Sequence, residues 1–257
     1  MNATPSRIFE LAEFTRQNFN KKDVLAGKQN GIWRKYSAEE YVNITNAIGY
    51  GLLNIGMDRD DKIAVISANR PEWSLVDMGI NKIGAINVPI YPNITTADYE
   101  YIIKDAGVKI LFVGSEEIFE KVHMLVDKID VLQAIYAFDE IEGAKDWNDL
   151  IKDGNSNPQA SKMKANQLEV KSSDLFTLIY TSGTTGLPKG IVRDIGGHIV
   201  ALKWTMKNIY NIDQDDVWWS ASDIGWIVGH SYIVYAVSYT HLRAHETEAD
   251  LVCRLLL

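Results

Sequence analysis

The chain has 257 residues, enough for one large domain or two small ones, and its 46% hydrophobic and 23% charged residues are typical of a globular protein. The formal net charge of -8 argues against general nucleic-acid binding, because no basic stripe is present to displace counterions from a phosphate backbone. No apolar run predicts a transmembrane segment, and the N-terminus lacks the pattern of a secretory signal. The single cysteine, Cys253, excludes an internal disulfide, so a reducing cytoplasm is expected.

The first sixty residues predict two helices and a short strand. Apolar residues at near-helical spacing predict an amphipathic helix over residues 6–18, and residues 33–36 predict a strand. Ser37 and Glu40 form a capping-box pattern that predicts a helix running to about Ile55.

From Lys62 onward, apolar runs of strand length alternate with helical patterns. The predicted strands cover residues 63–66, 85–91, 110–113 and 132–138, and the predicted helices cover residues 71–83, 96–104 and 116–128. This alternation is typical of βαβ units, so the fold class is α/β, with a mainly parallel sheet flanked by helices.

A polar stretch then separates this region from a second group of elements. Residues 153–170 are poor in apolar side chains and contain Gly154 and Pro158, which favours a surface linker. After it, residues 175–180 predict a buried strand, residues 197–210 a helix and residues 216–221 another strand.

Residues 180–190 concentrate the groups that bind phosphate. They read Tyr-Thr-Ser-Gly-Thr-Thr-Gly-Leu-Pro-Lys-Gly, with three glycines, four aliphatic hydroxyls and one lysine. Backbone N–H groups, hydroxyls and a cation can converge there on one anion. The spacing disfavours a Walker loop, since no Gly-Lys pair is followed by Ser or Thr. In an open parallel sheet a loop that follows a strand lies at the carboxyl edge, where ligands bind.

This segment resembles the phosphate-binding signature of the AMP-forming adenylating enzymes, which include the acyl-CoA synthetases. The resemblance implies that residues 1–236 form an incomplete N-terminal domain of an adenylate-forming enzyme. It also implies that the β- and γ-phosphates of ATP are held by Thr181, Ser182, Gly183, Thr184, Thr185, Gly186 and Lys189.

The resemblance changes branch at the signature. Residues 1–180, with Asn69-Arg-Pro-Glu-Trp73, resemble long-chain fatty-acid–CoA ligases. Residues 190–236, with Arg193-Asp-Ile-Gly-Gly-His198, resemble acetyl- and propionyl-CoA synthetases. We therefore hypothesise a hybrid of two relatives with its seam in residues 180–190, so that the two parts predict different acyl chain lengths.

A second site is implied by the match to the short-chain synthetases. Residues Trp226, Ile227, Val228, Gly229 and His230 are expected to line the acyl pocket, with Ile227 and Val228 as walls suited to a short chain. From the residues alone, Trp226 and Ile227 fit the core equally well. His230 either orients the substrate or satisfies a buried hydrogen bond.

The segment 237–257 resembles the conceptual translation of a transposon-type sequencing adapter. Nothing in the synthetase families is similar to it, and the alternative is a genuine C-terminal helix. If the segment is non-native, His241, His245 and Cys253 carry no functional information, so no metal site is assigned.

The implied parent reaction has two steps. A carboxylate attacks the α-phosphate of ATP to give an acyl adenylate and pyrophosphate, and coenzyme A then displaces AMP, usually with Mg²⁺ assisting the first step. The family's adenine, Mg²⁺ and ribose segments and its C-terminal domain with a catalytic lysine are not found in the sequence, so no catalytic residue is assigned and little or no ligase activity is expected. The alternatives are an adenylation domain of another branch and a non-catalytic nucleotide-binding module.

Overall fold

The computed structural model describes residues 5–19, 21–29, 31–182, 187–212, 217–218, 220, 222–236 and 243–244. The chain begins with helix α1 (Glu10–Asn18) and an antiparallel hairpin of β1 (Leu25–Gln29) and β2 (Ile32–Tyr36). The predicted helix and the strand at residues 33–36 are confirmed. Strand β1 was not predicted, because its Gly, Lys and Gln dilute the apolar pattern.

A seven-stranded sheet forms the centre of the fold, in the order β7-β6-β5-β3-β4-β8-β9. All neighbouring strands are parallel except β8 and β9, which are antiparallel. The prediction of a mainly parallel sheet is therefore confirmed. The strands are β3 (Lys62–Ile66), β4 (Ile86–Ile90), β5 (Val108–Val113), β6 (Ala134–Ala137), β7 (Lys145–Asp146), β8 (Leu175–Ser182) and β9 (Pro188–Asp194).

Helices cover the sheet on both sides, and helix α2 begins at the cap that the sequence predicts. Ser37 and Glu40 form a complete capping box at the start of α2, as Thr95 and Asp98 do at the start of α4. Pro71 opens α3, where its missing N–H costs nothing. The helices are α2 (Ala38–Asn54), α3 (Pro71–Lys82), α4 (Thr96–Ala106), α5 (Glu116–Val122), α6 (Trp147–Ser156), α7 (Ala160–Glu169) and α8 (Ile195–Asn208).

Alternating side chains of the central strands pack into two apolar layers, one on each face of the sheet. In β3, Ile63 and Val65 belong to one buried cluster, while Ala64 and Ile66 belong to the other. Period-two alternation places successive side chains on opposite faces, so a strand that is apolar throughout is buried on both sides. This arrangement leaves the carboxyl edge of the sheet for the functional loops.

The linker predicted for residues 153–170 is wrong, because this stretch is mostly helix α6 and helix α7. Gly154 lies in the contact between α6 and α2, where an added Cβ would come 1.9 Å from the carbonyl oxygen of Ala47. Gly51 of α2 faces α6 in the same way, since a Cβ there would lie 2.3 Å from the Leu150 carbonyl oxygen. Gly154 allows helices α2 and α6 to pack closely. The exposed polar side chains around it produced the pattern that resembled a linker.

The last described elements follow α8. Helix α9 (Ile227–Gly229) continues directly into a π-helix, His230–Tyr235. Of the strand predicted for residues 216–221, the structure describes a two-residue bridge strand, β10 (Val217–Trp218), which pairs in parallel with β11 (Arg243–Ala244). Within the described part of the chain, no helix combines the length and the apolar character needed to cross a bilayer.

Candidate active site

The predicted phosphate-binding segment lies at the tip of the β8–β9 hairpin. Thr181 pairs with Lys189, and Ser182 pairs with Pro188, so both strands lead directly into the connecting loop. Because β8 is parallel to β4, the tip is at the carboxyl edge of the sheet, where the sequence places it. Residues Gly183, Thr184, Thr185 and Gly186 lie outside the described residues. Lys189 is exposed, and Thr181 is half-buried.

Tyr180 attaches this hairpin, two residue pairs from its tip, to helix α4. Its hydroxyl donates a hydrogen bond of 2.6 Å to the Asp105 carboxylate. Burial and the adjacent carboxylate raise the pKa of the Tyr180 hydroxyl, which therefore stays protonated as a donor. The ring also covers Gly190 on the opposite strand, where an added Cβ would approach the ring to 3.2 Å. The strand that carries Lys189 is thus held against a rigid neighbour.

The second predicted segment is attached to the same edge of the sheet by Asn69. The Asn69 amide accepts from the Ile224 N–H at 2.8 Å and donates to the Ser222 carbonyl at 3.0 Å. Asp223 then accepts from the Gly225 N–H at 2.7 Å, and burial raises the pKa of its carboxyl. Asn69 follows strand β3, so its side chain positions the segment beside the carboxyl ends of the central strands.

Residues 226–230 divide into exposed and buried positions. Trp226 is 41% exposed and Val228 is 51% exposed, whereas Ile227 is half-buried and Gly229 and His230 are buried. The Trp226 ring lies 5.1 Å from the ring of Tyr91, the residue that follows β4. The apolar surface of this segment is therefore available to a ligand at the carboxyl edge.

His230 lies in an aromatic cluster. Its ring is stacked on Phe176 at 5.8 Å and meets Trp73 and Tyr235 edge-on. Burial, together with nearby His198 and Arg193, lowers the pKa of His230 well below its usual range. Neither ring nitrogen has a hydrogen-bond partner among the described residues. Among these residues, the buried ring thus lacks the hydrogen bond that one of its two predicted roles requires, and its role toward the substrate stays a prediction.

Arg193 links the hairpin to the second segment. Its guanidinium donates to the Ser231 hydroxyl in the π-helix and to Nδ1 of His198 at 3.1 Å. An arginine can only donate, so Nδ1 of His198 is the acceptor and carries no proton. Burial and the Arg193 charge lower the pKa of His198 to about 3, so the ring is neutral. The two predicted sites are therefore parts of one connected arrangement.

Asp77 anchors the far end of the π-helix. The Tyr235 hydroxyl donates to Oδ2 of Asp77, while the Asn87 and Asn81 amides donate to Oδ1 at 2.6 and 3.2 Å. Burial raises the pKa of the Asp77 carboxyl to about 6, although these donors oppose the shift. Sequence reasoning missed Asp77, because an isolated Asp in an amphipathic helix looks like a solvated residue.

Other positioning residues were also missed. Asn69 is part of a motif noted for its resemblance only, and the backbone contacts of its amide could not be inferred from it. Arg193 was likewise noted within a motif, yet nothing in the sequence indicates that it contacts Ser231, 38 residues away. A polar residue directly after a predicted strand was the one available signal for Asn69.

Comparison with known proteins identifies the family. The family model described as "AMP-binding enzyme" matches residues 13–244. The chain belongs to this family. The predicted α/β fold and the resemblance of the signature to adenylate-forming enzymes are thereby confirmed.

The curated AMP-binding relatives include CoA ligases. The mouse mitochondrial acyl-CoA synthetase short-chain family member 3 is 30% identical over 217 residues, which cover 77% of this chain and 31% of that protein. The rat protein of the same name is 59% identical over 66 residues, which cover 26% of this chain and 10% of that protein. The chain thus spans about a third or less of the length of these relatives, and its identity to them is concentrated in a short stretch.

A solved AMP-binding structure has the same fold. An anthranilate CoA ligase in complex with anthranoyl-AMP superimposes with a TM-score of 0.78 at 21% identity. The match covers 95% of this chain and 46% of that one. At this identity the likeness shows the fold alone.

Mg²⁺ is implied by the family, and the described residues offer few ligands for it. No three His, Cys, Asp or Glu side chains cluster as metal ligands in the part of the chain that the structure describes. Thr181 offers a hydroxyl oxygen near the tip of the hairpin, a weak ligand by itself.

Proposed function

We propose that residues 1–236 form the part of an AMP-forming carboxylate–CoA ligase that holds the phosphates of ATP and the acyl end of the substrate. One observation carries this proposal: the signature hairpin and the segment 222–230 lie at the same edge of the sheet and are joined through Arg193. A phosphate site beside an apolar surface is what the joining of a carboxylate to ATP requires.

The phosphate side would act by charge and by fixed donors. Lys189 supplies a cation on a strand held by Tyr180, and Thr181 supplies a hydroxyl opposite it. Together with Ser182 and residues 183–186, these groups would bind the β- and γ-phosphates and stabilise the departing pyrophosphate.

The acyl pocket would select among carboxylic acids by how well they fill its volume. Trp226, Ile227 and Val228 present apolar surface at the sheet edge. A pocket of this kind discriminates by only about 1–3 kcal/mol per methylene. Bulky walls favour a short carboxylic acid over a fatty acid, although the first part of the chain resembles ligases of fatty-acid metabolism. CoA would be the second substrate, and a cytoplasmic location remains part of the proposal.

We further propose that the 257-residue polypeptide binds ATP and turns it over little or not at all. The relatives are about three times longer, and the family's catalytic lysine is expected in a part that this sequence does not match. A non-catalytic nucleotide-binding module is the second candidate, because it would also bind ATP without turnover.

Pyrophosphate release with acetate, propionate and palmitate tests this function, alongside ATP binding by calorimetry. We expect ATP binding with no release above background. Fusing the chain to the downstream sequence of a short-chain synthetase should restore release with acetate or propionate. Failure of the fusion, with ATP binding intact, would favour the non-catalytic module, and robust turnover by the polypeptide itself would contradict the proposed inactivity.

The hybrid organisation also remains a proposal, supported by the uneven identity to the short-chain relatives. The seam would fall in residues 180–190, where the two branches share the signature. An independent genomic read through codons 182 and 237 tests it. One continuous reading frame through both positions would contradict both the seam and the non-native tail.

A further inference from the structure

A cavity of about 510 Å³ lies between helices α1, α2 and α7 and the carboxyl end of α3. It shares no lining residue with the hairpin or with the segment 222–230. Phe9, Phe14, Val42 and Met163 supply apolar walls. The cavity is therefore a separate site, large enough for a small organic molecule and partly apolar.

Lys82, the last residue of α3, lines this cavity with a side chain that is almost completely buried. The residue is 4% exposed, and its Nζ donates to Oδ1 of Asn46 at 2.6 Å and to the Val42 carbonyl at 3.4 Å. Both acceptors are neutral. Among the described residues, no carboxylate forms an ion pair with Nζ within 4 Å. A buried ammonium without a counter-charge is unfavourable.

The charged groups around Lys82 do not compensate for its burial. Glu13 of α1 favours the charged amine, while Arg16 of the same helix opposes it and also binds Glu13. Arg7 and Glu10 neutralise each other in an ion pair, and Lys164 of α7 adds a second positive charge. Desolvation dominates and lowers the pKa of Lys82 to about 7.

The hydrogen bonds leave one position on Nζ unused. A neutral amine has two N–H groups and one lone pair, and Asn46 and Val42 accept from the two N–H groups. The backbone of Lys82 is held as well, because Gln167 of α7 donates to its carbonyl at 3.0 Å and Arg7 donates to the carbonyl of Gln167. The amine is thus fixed at the cavity wall with its lone pair available.

We propose that this cavity binds a small aldehyde with an apolar body and that Lys82 captures it as an imine. The Nζ lone pair attacks the carbonyl carbon, and a proton moves from nitrogen to oxygen to give a carbinolamine. The second nitrogen proton then moves to the hydroxyl, which leaves as water while the nitrogen electrons form the C=N bond. One aldehyde and one amine give one imine and one water, without any oxidant or reductant. Buried lysines are suited to this chemistry because they are uncharged near neutral pH.

Reductive trapping on the intact chain tests this site. Benzaldehyde and cyanoborohydride are added at neutral pH, and labelled lysines are located by peptide mass spectrometry. We expect Lys82 to be labelled at least about tenfold faster than Lys203, an exposed lysine that lies outside this cavity. The Lys82 rate should level off above about pH 7, where most of this amine is already uncharged.

Two variants distinguish labelling that depends on the cavity from nonspecific labelling of lysines. Lys164→Met removes the other lysine of the cavity and should leave Lys82 labelling unchanged. Ala160→Phe adds bulk at the cavity wall and should slow Lys82 labelling about tenfold while Lys203 is unaffected, with folding checked by circular dichroism. Labelling of Lys82 no faster than of Lys203, or a rate that rises throughout with pH, would overturn the proposal. The pH profile of the wild type decides the matter even if Ala160→Phe does not fold.

Discussion

The hydroxyl of Tyr235 donates a hydrogen bond to the buried carboxylate of Asp77, across 158 residues of sequence. This contact ties the π-helix that follows the predicted acyl segment to helix α3 in the core. Ser231, one turn earlier, accepts from Arg193 of the signature hairpin. The two hydrogen bonds together fix the second segment relative to strands β8 and β9.

Because of Asp77, we expect the free energy of unfolding to fall as the pH rises toward about 6. Burial raises its pKa in the folded state to about 6 from 3.8, so the folded state holds an extra proton between these values. Its contribution is fully present below about pH 4, and on the order of 2–3 kcal/mol is lost by pH 6 and above. Asp77→Asn should abolish this slope, because an amide neither gains nor loses a proton in this pH range.

Urea unfolding of the wild type and of Asp77→Asn at a series of pH values checks this prediction. The difference in the free energy of unfolding between the two should change across this window. Asp130→Asn, which alters an exposed carboxylate, serves as the control. Parallel curves for the wild type and Asp77→Asn would show that Asp77 is not the buried proton-binding group.

His198 should produce the opposite dependence at lower pH. Its pKa is lowered to about 3 from 6.5, so the unfolded chain binds a proton that the folded chain does not. The stability that neutral His198 contributes is fully present above about pH 6.5 and is lost as the pH falls toward 3. His198→Phe should remove this part of the acid sensitivity, at the cost of leaving Arg193 without one acceptor. Thermal melts from neutral to acidic pH measure it, and equal acid sensitivity in both proteins would contradict it.

Gly154 should be intolerant of any side chain. An added Cβ would meet the Ala47 carbonyl oxygen at 1.9 Å, so helices α2 and α6 must separate. We expect Gly154→Ala to lower the free energy of unfolding by about 2–4 kcal/mol, despite the better helix propensity of alanine. Ser156→Ala, at an exposed position of the same helix, is the matched control and should cost less than about 1 kcal/mol. Equal midpoints in denaturant would show that the helices do not pack this closely.

The sequence predicts the elements whose apolar pattern is unbroken. Strands β3 to β6 were predicted because runs such as residues 63–66 are apolar throughout, and α2 was predicted because Ser37 and Glu40 cap it. Strand β9 was missed because Pro188, Gly190 and exposed side chains hide its strand character. Such a strand forms through pairing with β8, which is a tertiary effect that local propensity does not contain.

The candidate site is likewise only partly predictable from the sequence. The signature predicts a phosphate site because its residues are contiguous, and the structure places Lys189 on strand β9 opposite Thr181. The partners that hold the site were not predicted, because Asp77 and Tyr235, or Asn69 and Ile224, meet only after the sheet has formed. The sequence around isolated polar residues does not predict which distant residues they will contact in the fold.

The proposed phosphate site is tested by comparing the affinity for ATP of the wild type and of Lys189→Ala in titration calorimetry. Removing a charged partner of the phosphates should weaken binding about 10- to 100-fold. Lys203→Ala, an exposed lysine on the neighbouring helix α8, should leave the affinity within about twofold. Equal weakening by both variants, or no loss with Lys189→Ala, would contradict the assignment of the hairpin as the phosphate site.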